Sequence, residues 1–177
     1  MKPDKIKTDR LLLRHFKEDD AQAIFDNWAK DPEVTKYMSW NPHENVGVTQ
    51  YILNIWLDEY LKPDTHRFGI TLRDTGELIG GIDVVRYIDK KPEIGYCLSK
   101  KYWNNGYMTE ACTAFMEYLF DQGYKEILIE AEVRNIGSNR VIEKCGFTFT
   151  HKETRLASEM KPVEVTVKWY RKKAPKK

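Results

Sequence analysis

The strongest constraint on this chain is a strand, a helix and a second strand in direct succession between residues 93 and 133. Glu93-Ile94-Gly95-Tyr96-Cys97-Leu98 reads as an extended run. Met108, Cys112, Phe115, Met116, Leu119 and Phe120 then recur at steps of three and four, the spacing of one helix face, and Gly123 suits the left-handed stop. Ile127 to Val133 follows as a buried strand. A helical crossover makes the two strands parallel. The rest of the chain pairs the other way: Phe68 to Leu72, the turn Asp74-Thr75-Gly76-Glu77, and Leu78 to Val84 predict an antiparallel hairpin. The expectation is an α+β fold, a mixed and mostly antiparallel central sheet with flanking helices. Its one parallel pair is where strand ends can diverge.

Outside that unit, Arg10 to Arg14 has strand character, and Asp19-Asp20 before Ile24, Phe25 and Trp28 predicts a helix with an acidic start. Val34 to Glu44 reads as an aromatic loop, suited either to covering a site or to plugging the core. Helical spacing resumes from Tyr51 to Leu57. Gly95, inside a strand, predicts a bulge or a close backbone approach. Ser138 to Lys144 predicts a short helix closed by Gly146, and two strands follow, the last alternating from Val163 to Tyr170. That last strand fits an internal or an intersubunit edge, so the oligomeric state is left open. No repeat or linker divides the chain, which reads as one domain over residues 1–177 with a basic tail from about Arg171.

Composition removes several classes. With 29 Lys and Arg against 27 Asp and Glu, the chain lacks the basic excess of a nucleic-acid binder. No apolar run approaches the roughly 20 residues of a membrane span, and the N-terminus lacks a signal-peptide core, so a cytoplasmic protein without membrane contact is expected. Cys97, Cys112 and Cys145 are odd in number and set among apolar neighbours, which predicts reduced packing residues. No CxxC or HExxH pairing exists, so no metal site is expected.

Backbone N–H groups in the loop Trp103-Asn104-Asn105-Gly106, at the start of the crossover helix, suit a phosphate. That loop with Tyr107-Met108-Thr109-Glu110-Ala111, together with Asn135-Ile136-Gly137-Ser138 and Lys144-Cys145-Gly146-Phe147, resembles the GNAT superfamily of N-acetyltransferases. Thr8 to Arg14 and Trp40-Asn41-Pro42 resemble its RimJ/RimL-like branch of ribosomal-protein N-terminal acetyltransferases, so the resemblance runs from about residue 6 to 171. It implies a splayed parallel strand pair and acetyl-coenzyme A as co-substrate, without a metal. The residues it points to for the coenzyme are Cys97, Leu98 and Ser99 on the first strand, Asn104, Asn105, Gly106, Tyr107, Met108 and Thr109 at the phosphate loop, and Asn135. Asn135 is equally an ordinary helix cap. The family loop commonly reads Trp-Gly-Lys-Gly-Tyr-Ala; here Asn104 tolerates left-handed geometry, and the loop lysine is absent.

Acetylating an amine requires a base for the ammonium proton, a donor for the developing oxyanion, and a proton for the departing thiolate. The resemblance implies Glu93 as base, directly or through water, and Ser138 as proton donor, with a backbone N–H near Leu98 for the oxyanion. Each has a bland alternative: a strand-end carboxylate and a helix-start serine. Glu110 is assigned to the first turn of its helix for electrostatic reasons alone. The implied acceptor is a primary amine, on a peptide N-terminus or a small molecule. Tyr37, Trp40 and Trp103 are candidate aromatic walls for it.

Overall fold

Eight strands form one sheet in the order β1-β2-β3-β4-β5-β6-β8-β7, in a computed structural model that describes residues 2–176. The strands are β1 (Lys5–Lys7), β2 (Leu11–Arg14), β3 (Arg67–Leu72), β4 (Leu78–Ile88), β5 (Lys91–Leu98), β6 (Glu126–Glu132), β7 (Thr148–Leu156) and β8 (Glu164–Lys173). Among the described residues only β5 and β6 pair in parallel, as the crossover requires. The helices are α1 (Ala21–Ile24), α2 (Pro32–Thr35), α3 (Val46–Glu59), α4 (Tyr107–Asp121) and α5 (Ile136–Lys144). β8 continues to Lys173, so the basic run that opens at Arg171 begins inside a strand. No helix among the described residues is long and apolar enough to cross a membrane.

Strand alternation divides the side chains between two cores. Phe68, Ile70, Ile79, Ile82, Ile94, Ile127 and Ile129 face α4, which buries Met108, Ala111, Cys112, Phe115, Met116 and Leu119 against them. Each fully buried side chain of this kind stabilises by roughly 1.5–3 kcal/mol. On the opposite face Phe16, Ile24, Trp28, Leu53 and Leu78 form a second core under α1–α3, and Trp40 packs against it. The helix expected from Asp19 is interrupted: a 3-10 turn (Glu18–Asp20) leads into α1, which widens into a π-turn (Phe25–Ala29). Asp20 anchors this entry by accepting two bonds from the Arg14 guanidinium, at 2.8 and 3.0 Å.

The parallel pair barely exists. Only Glu93↔Leu128 and Ile94↔Ile129 face one another, after which β5 and β6 part. Each stays zipped on its far side, β5 to β4 as far as Gly80↔Leu98 and β6 to β8 as far as Glu132↔Val167. A cause lies next door. The β4–β5 register slips between Val84 and Arg86, opposite Ile94 and Glu93, and such a bulge steepens the local twist. The expectation at Gly95 resolves accordingly: the bulge is on β4, and a Cβ on Gly95 would lie 2.9 Å from the displaced Val85 side chain. Further along, a Cβ on Gly80 would sit 2.4 Å from the Cys97 carbonyl oxygen, so glycine lets β5 hug β4 where it leaves β6.

Candidate active site

The fork opens onto a cleft of about 700 Å³. Among the residues singled out from the sequence, Cys97, Leu98, Asn104, Gly106, Tyr107, Met108, Thr109, Asn135 and Ser138 line it. Ser99 is buried and Asn105 is exposed within the loop, and neither lines the cleft. Glu93 lies five residues from Leu98, about 16 Å along an extended strand, and does not line the cleft.

One wall is a left-handed turn leading into a helix N-terminus. Asn104 and Gly106 both take left-handed backbone angles, φ 61° and 76°, and Gly106 leads directly into α4. Alternating backbone handedness points successive N–H groups into one concavity, and the helix dipole adds partial positive charge there. The turn is fastened from below. The Arg10 guanidinium donates to the Asn105 carbonyl at 2.9 Å and to Glu110 at 2.8 Å, and it lies 4.2 Å from the Tyr107 ring centre. Glu110 also accepts from the Thr8 hydroxyl and the Arg10 N–H. Burial opposes its ionised form, but these donors outweigh that and hold its carboxyl below the usual range. Glu110 is thus a fastening for the loop.

Along β5, the Ser99 N–H donates to the Ile79 carbonyl at 2.7 Å. The alternation of an antiparallel ladder therefore turns the Leu98 N–H and C=O the other way, into the fork. The carbonyl is met there by the Trp103 indole N–H at 2.9 Å. A helix on the far wall, α5, begins at Asn135, whose side chain accepts from the Ser138 N–H at 3.2 Å. The Ser138 hydroxyl is 2.9 Å from the Tyr96 hydroxyl, which reaches across from β5.

Glu93 is almost fully buried on the other face of the sheet. It accepts from the Arg86 guanidinium at 2.8 Å, and Glu130, itself paired with Arg155, lies beside it. Burial pushes the Glu93 carboxyl up from its ordinary value, with the Arg86 bond opposing. Of the aromatic candidates, Tyr37 and Trp103 line the cleft, whereas Trp40 serves the second core. The Lys161 ammonium donates to the carbonyls of Thr35, Lys36 and Met38 at 3.0–3.2 Å, tying the β7–β8 connection to the segment beside the cleft.

Sequence reasoning did not single out Tyr96, Arg134, Arg140 or Lys144, all of which line the cleft. Tyr96 carried a weak signal, sharing the period-two face of Ile94 and Leu98. Lys144 lay within a family-like motif without being assigned a role, and Arg134, in the connection between β6 and α5, carried no signal.

A family model described as an acetyltransferase (GNAT) domain matches residues 10–148 of this chain. The chain belongs to the acetyltransferase (GNAT) family. Among the curated relatives of this acetyltransferase, the uncharacterized N-acetyltransferase YoaA of Bacillus subtilis is 33% identical over 145 residues, covering 80% of this chain and 81% of the relative. Solved structures agree in fold. The acetyltransferase of Salmonella typhimurium that modifies the N-terminal serine of ribosomal protein L7/L12 superposes with a TM-score of 0.83 at 18% identity, over 97% of this chain and 99% of that one. The microcin C7 self-immunity acetyltransferase MccE, solved with acetyl-CoA and AMP, gives 0.83 at 20% identity, over 97% of each chain. Two such different acetyltransferases share the architecture of this chain equally well, so the architecture alone does not name an acceptor.

Proposed function

We propose that this acetyltransferase transfers an acetyl group from acetyl-coenzyme A to a primary amine, on a peptide or protein N-terminus or on a small molecule. The observation that carries the reading is the fork after Ile94 and Ile129, opening beside the left-handed turn at Asn104 and Gly106. The turn and the amides of Tyr107, Met108 and Thr109 would hold the pyrophosphate, with Arg140 and Lys144 nearby in the cleft. Cys97, Leu98 and Ser99 would run beside the pantetheine arm, with Asn135 opposite. The coenzyme supplies an acyl carbon activated as a thioester.

The chain's own groups divide the remaining work. The Leu98 N–H, turned into the fork, is a fixed donor for charge developing on the acyl oxygen. Glu93 draws a proton from the incoming ammonium through water, since it is too far along β5 to touch an amine held beside Leu98. Ser138 hands its hydroxyl proton to the sulfur as the carbon–sulfur bond breaks, and the second amine proton replaces it. Tyr37 and Trp103 offer faces to the ammonium. The Lys161 tie holds the Thr35–Met38 segment beside the cleft, and the acceptor proposed is an end-on amine, a chain terminus or a linear polyamine.

Free-thiol release from acetyl-coenzyme A, measured with Ser- and Ala-terminated peptides, spermidine and an aminoglycoside, tests this directly. Turnover with an end-on amine supports the reading. Tight coenzyme binding with turnover on none of them would reduce the chain to an acyl-coenzyme A-binding domain.

A further inference from the structure

We infer that Tyr96 is a positioning residue that aims the Ser138 proton at the sulfur. This rests on the reading of Ser138 as proton donor given above. The Tyr96 hydroxyl has two neighbours, both on Ser138: the side-chain oxygen at 2.9 Å and the backbone carbonyl at 3.3 Å. A serine hydroxyl carries one proton and two acceptor lone pairs, so its direction is set by whichever neighbour binds it. If Ser138 donated to Tyr96, no proton would remain for the cleft.

The phenol is taken as donor in the shorter of the two contacts. Tyr96 packs against the core beneath α4, and burial pushes its phenol far above the ordinary value, so it stays protonated. Its one proton can go to the Ser138 hydroxyl oxygen at 2.9 Å or to the Ser138 carbonyl at 3.3 Å, and is placed here on the nearer hydroxyl oxygen. Ser138 is pinned from the other side as well, by its N–H bond to Asn135 at 3.2 Å. With the phenol donating to its oxygen, the serine keeps its own proton free and directs it into the cleft that both residues line. A donated hydrogen bond also spreads the negative charge that builds on Ser138 as its proton leaves. Tyr96 itself loses no proton in the step. The bond joins residues 42 positions apart, from β5 to the first turn of α5, and so spans the mouth of the fork.

The test needs no acceptor. Coenzyme A is bound to the protein, and the pH dependence of its alkylation by iodoacetamide, read as alkylated coenzyme by mass, gives the acidity of the bound thiol. A correctly aimed donor stabilises the thiolate, so the bound thiol should titrate below the free coenzyme. Tyr96→Phe should raise it by about one pH unit, the scale of one charge-assisted hydrogen bond. Ser138→Ala should raise it at least as far, and the double variant should match Ser138→Ala alone, because Tyr96 acts only through the serine. A Tyr96→Phe value equal to wild type, or an effect that adds to that of Ser138→Ala, overturns the inference while leaving the serine reading intact. A Ser138→Ala value equal to wild type overturns the serine reading and this inference with it. Coenzyme that does not bind removes both.

Discussion

The two ends of β5 are made of the same backbone and behave oppositely. At its start, Glu93 and Ile94 are paired on both sides, to β4 and to β6, and the Glu93 carboxylate is locked to Arg86 at 2.8 Å. At its finish, Leu98 keeps its β4 neighbour and has lost β6, so its N–H and C=O face a cleft. A sheet gains stability by satisfying such groups. Here β5 has no strand partner on its β6 side beyond Ile94, the Leu98 carbonyl being met by the Trp103 indole instead, and the cleft opens there. The difference teaches that the closed end fixes the strand so that the open end can hold its shape without a neighbour.

The largest effect should come from the closed end. Glu93→Gln keeps the shape and removes the proposed base, and turnover with a working acceptor should fall by about a hundredfold while coenzyme binding holds. The pH profile sharpens this. A base acts deprotonated, and burial raises Glu93, so the acidic limb should lie above an ordinary carboxylate's 4.5. Removing Arg86, whose hydrogen bond opposes that rise, should move the limb to still higher pH.

Gly80→Ala breaks the comparison from the other side. Its Cβ would meet the Cys97 carbonyl oxygen at 2.4 Å and must push β5 away from β4 into the fork. Stability should drop by about 1–3 kcal/mol in urea titrations, with a parallel loss of coenzyme affinity. At the turn proposed for the phosphate, Asn104→Val forces a branched residue into φ 61° and should weaken coenzyme binding by about tenfold, whereas Asn104→Gly should leave it near wild type.

The smallest effect lies away from the fork, just before β3. His66 is buried between the hydroxyls of Tyr118 and Tyr124, at 2.8 and 3.1 Å, and burial lowers it from 6.5 to about 4. Its folded value is depressed, so the unfolded chain takes up the proton first. Stability should be full above pH 6.5 and decline as pH falls towards 4. Thermal melts of wild type and His66→Gln should converge in that window.

Much of this was legible in the sequence, for reasons that can be named. The strand-helix-strand unit announces itself because its apolar period changes from two to three-and-four and back, and the phosphate turn because Gly106 and Asn104 tolerate left-handed angles. The β4–β5 hairpin was only half legible. β4 runs on to Ile88, and its turn at Asp89 and Lys90 takes φ 49° and 65°, conformations usually flagged by Asn-Gly. The bulge at Val85 that helps open the fork has no local signature, since it is a register between two strands. The Tyr96–Ser138 bond was invisible for the same reason: contacts made by tertiary folding leave no trace in spacing.

Calorimetric titration with acetyl-coenzyme A tests the central claim, that the unpaired end of β5 and the Asn104–Gly106 turn form one coenzyme site. Saturable one-to-one binding that is weakened by both Gly80→Ala and Asn104→Val is the predicted result. Absence of heat and of any melting-temperature rise with folded wild-type protein would contradict it.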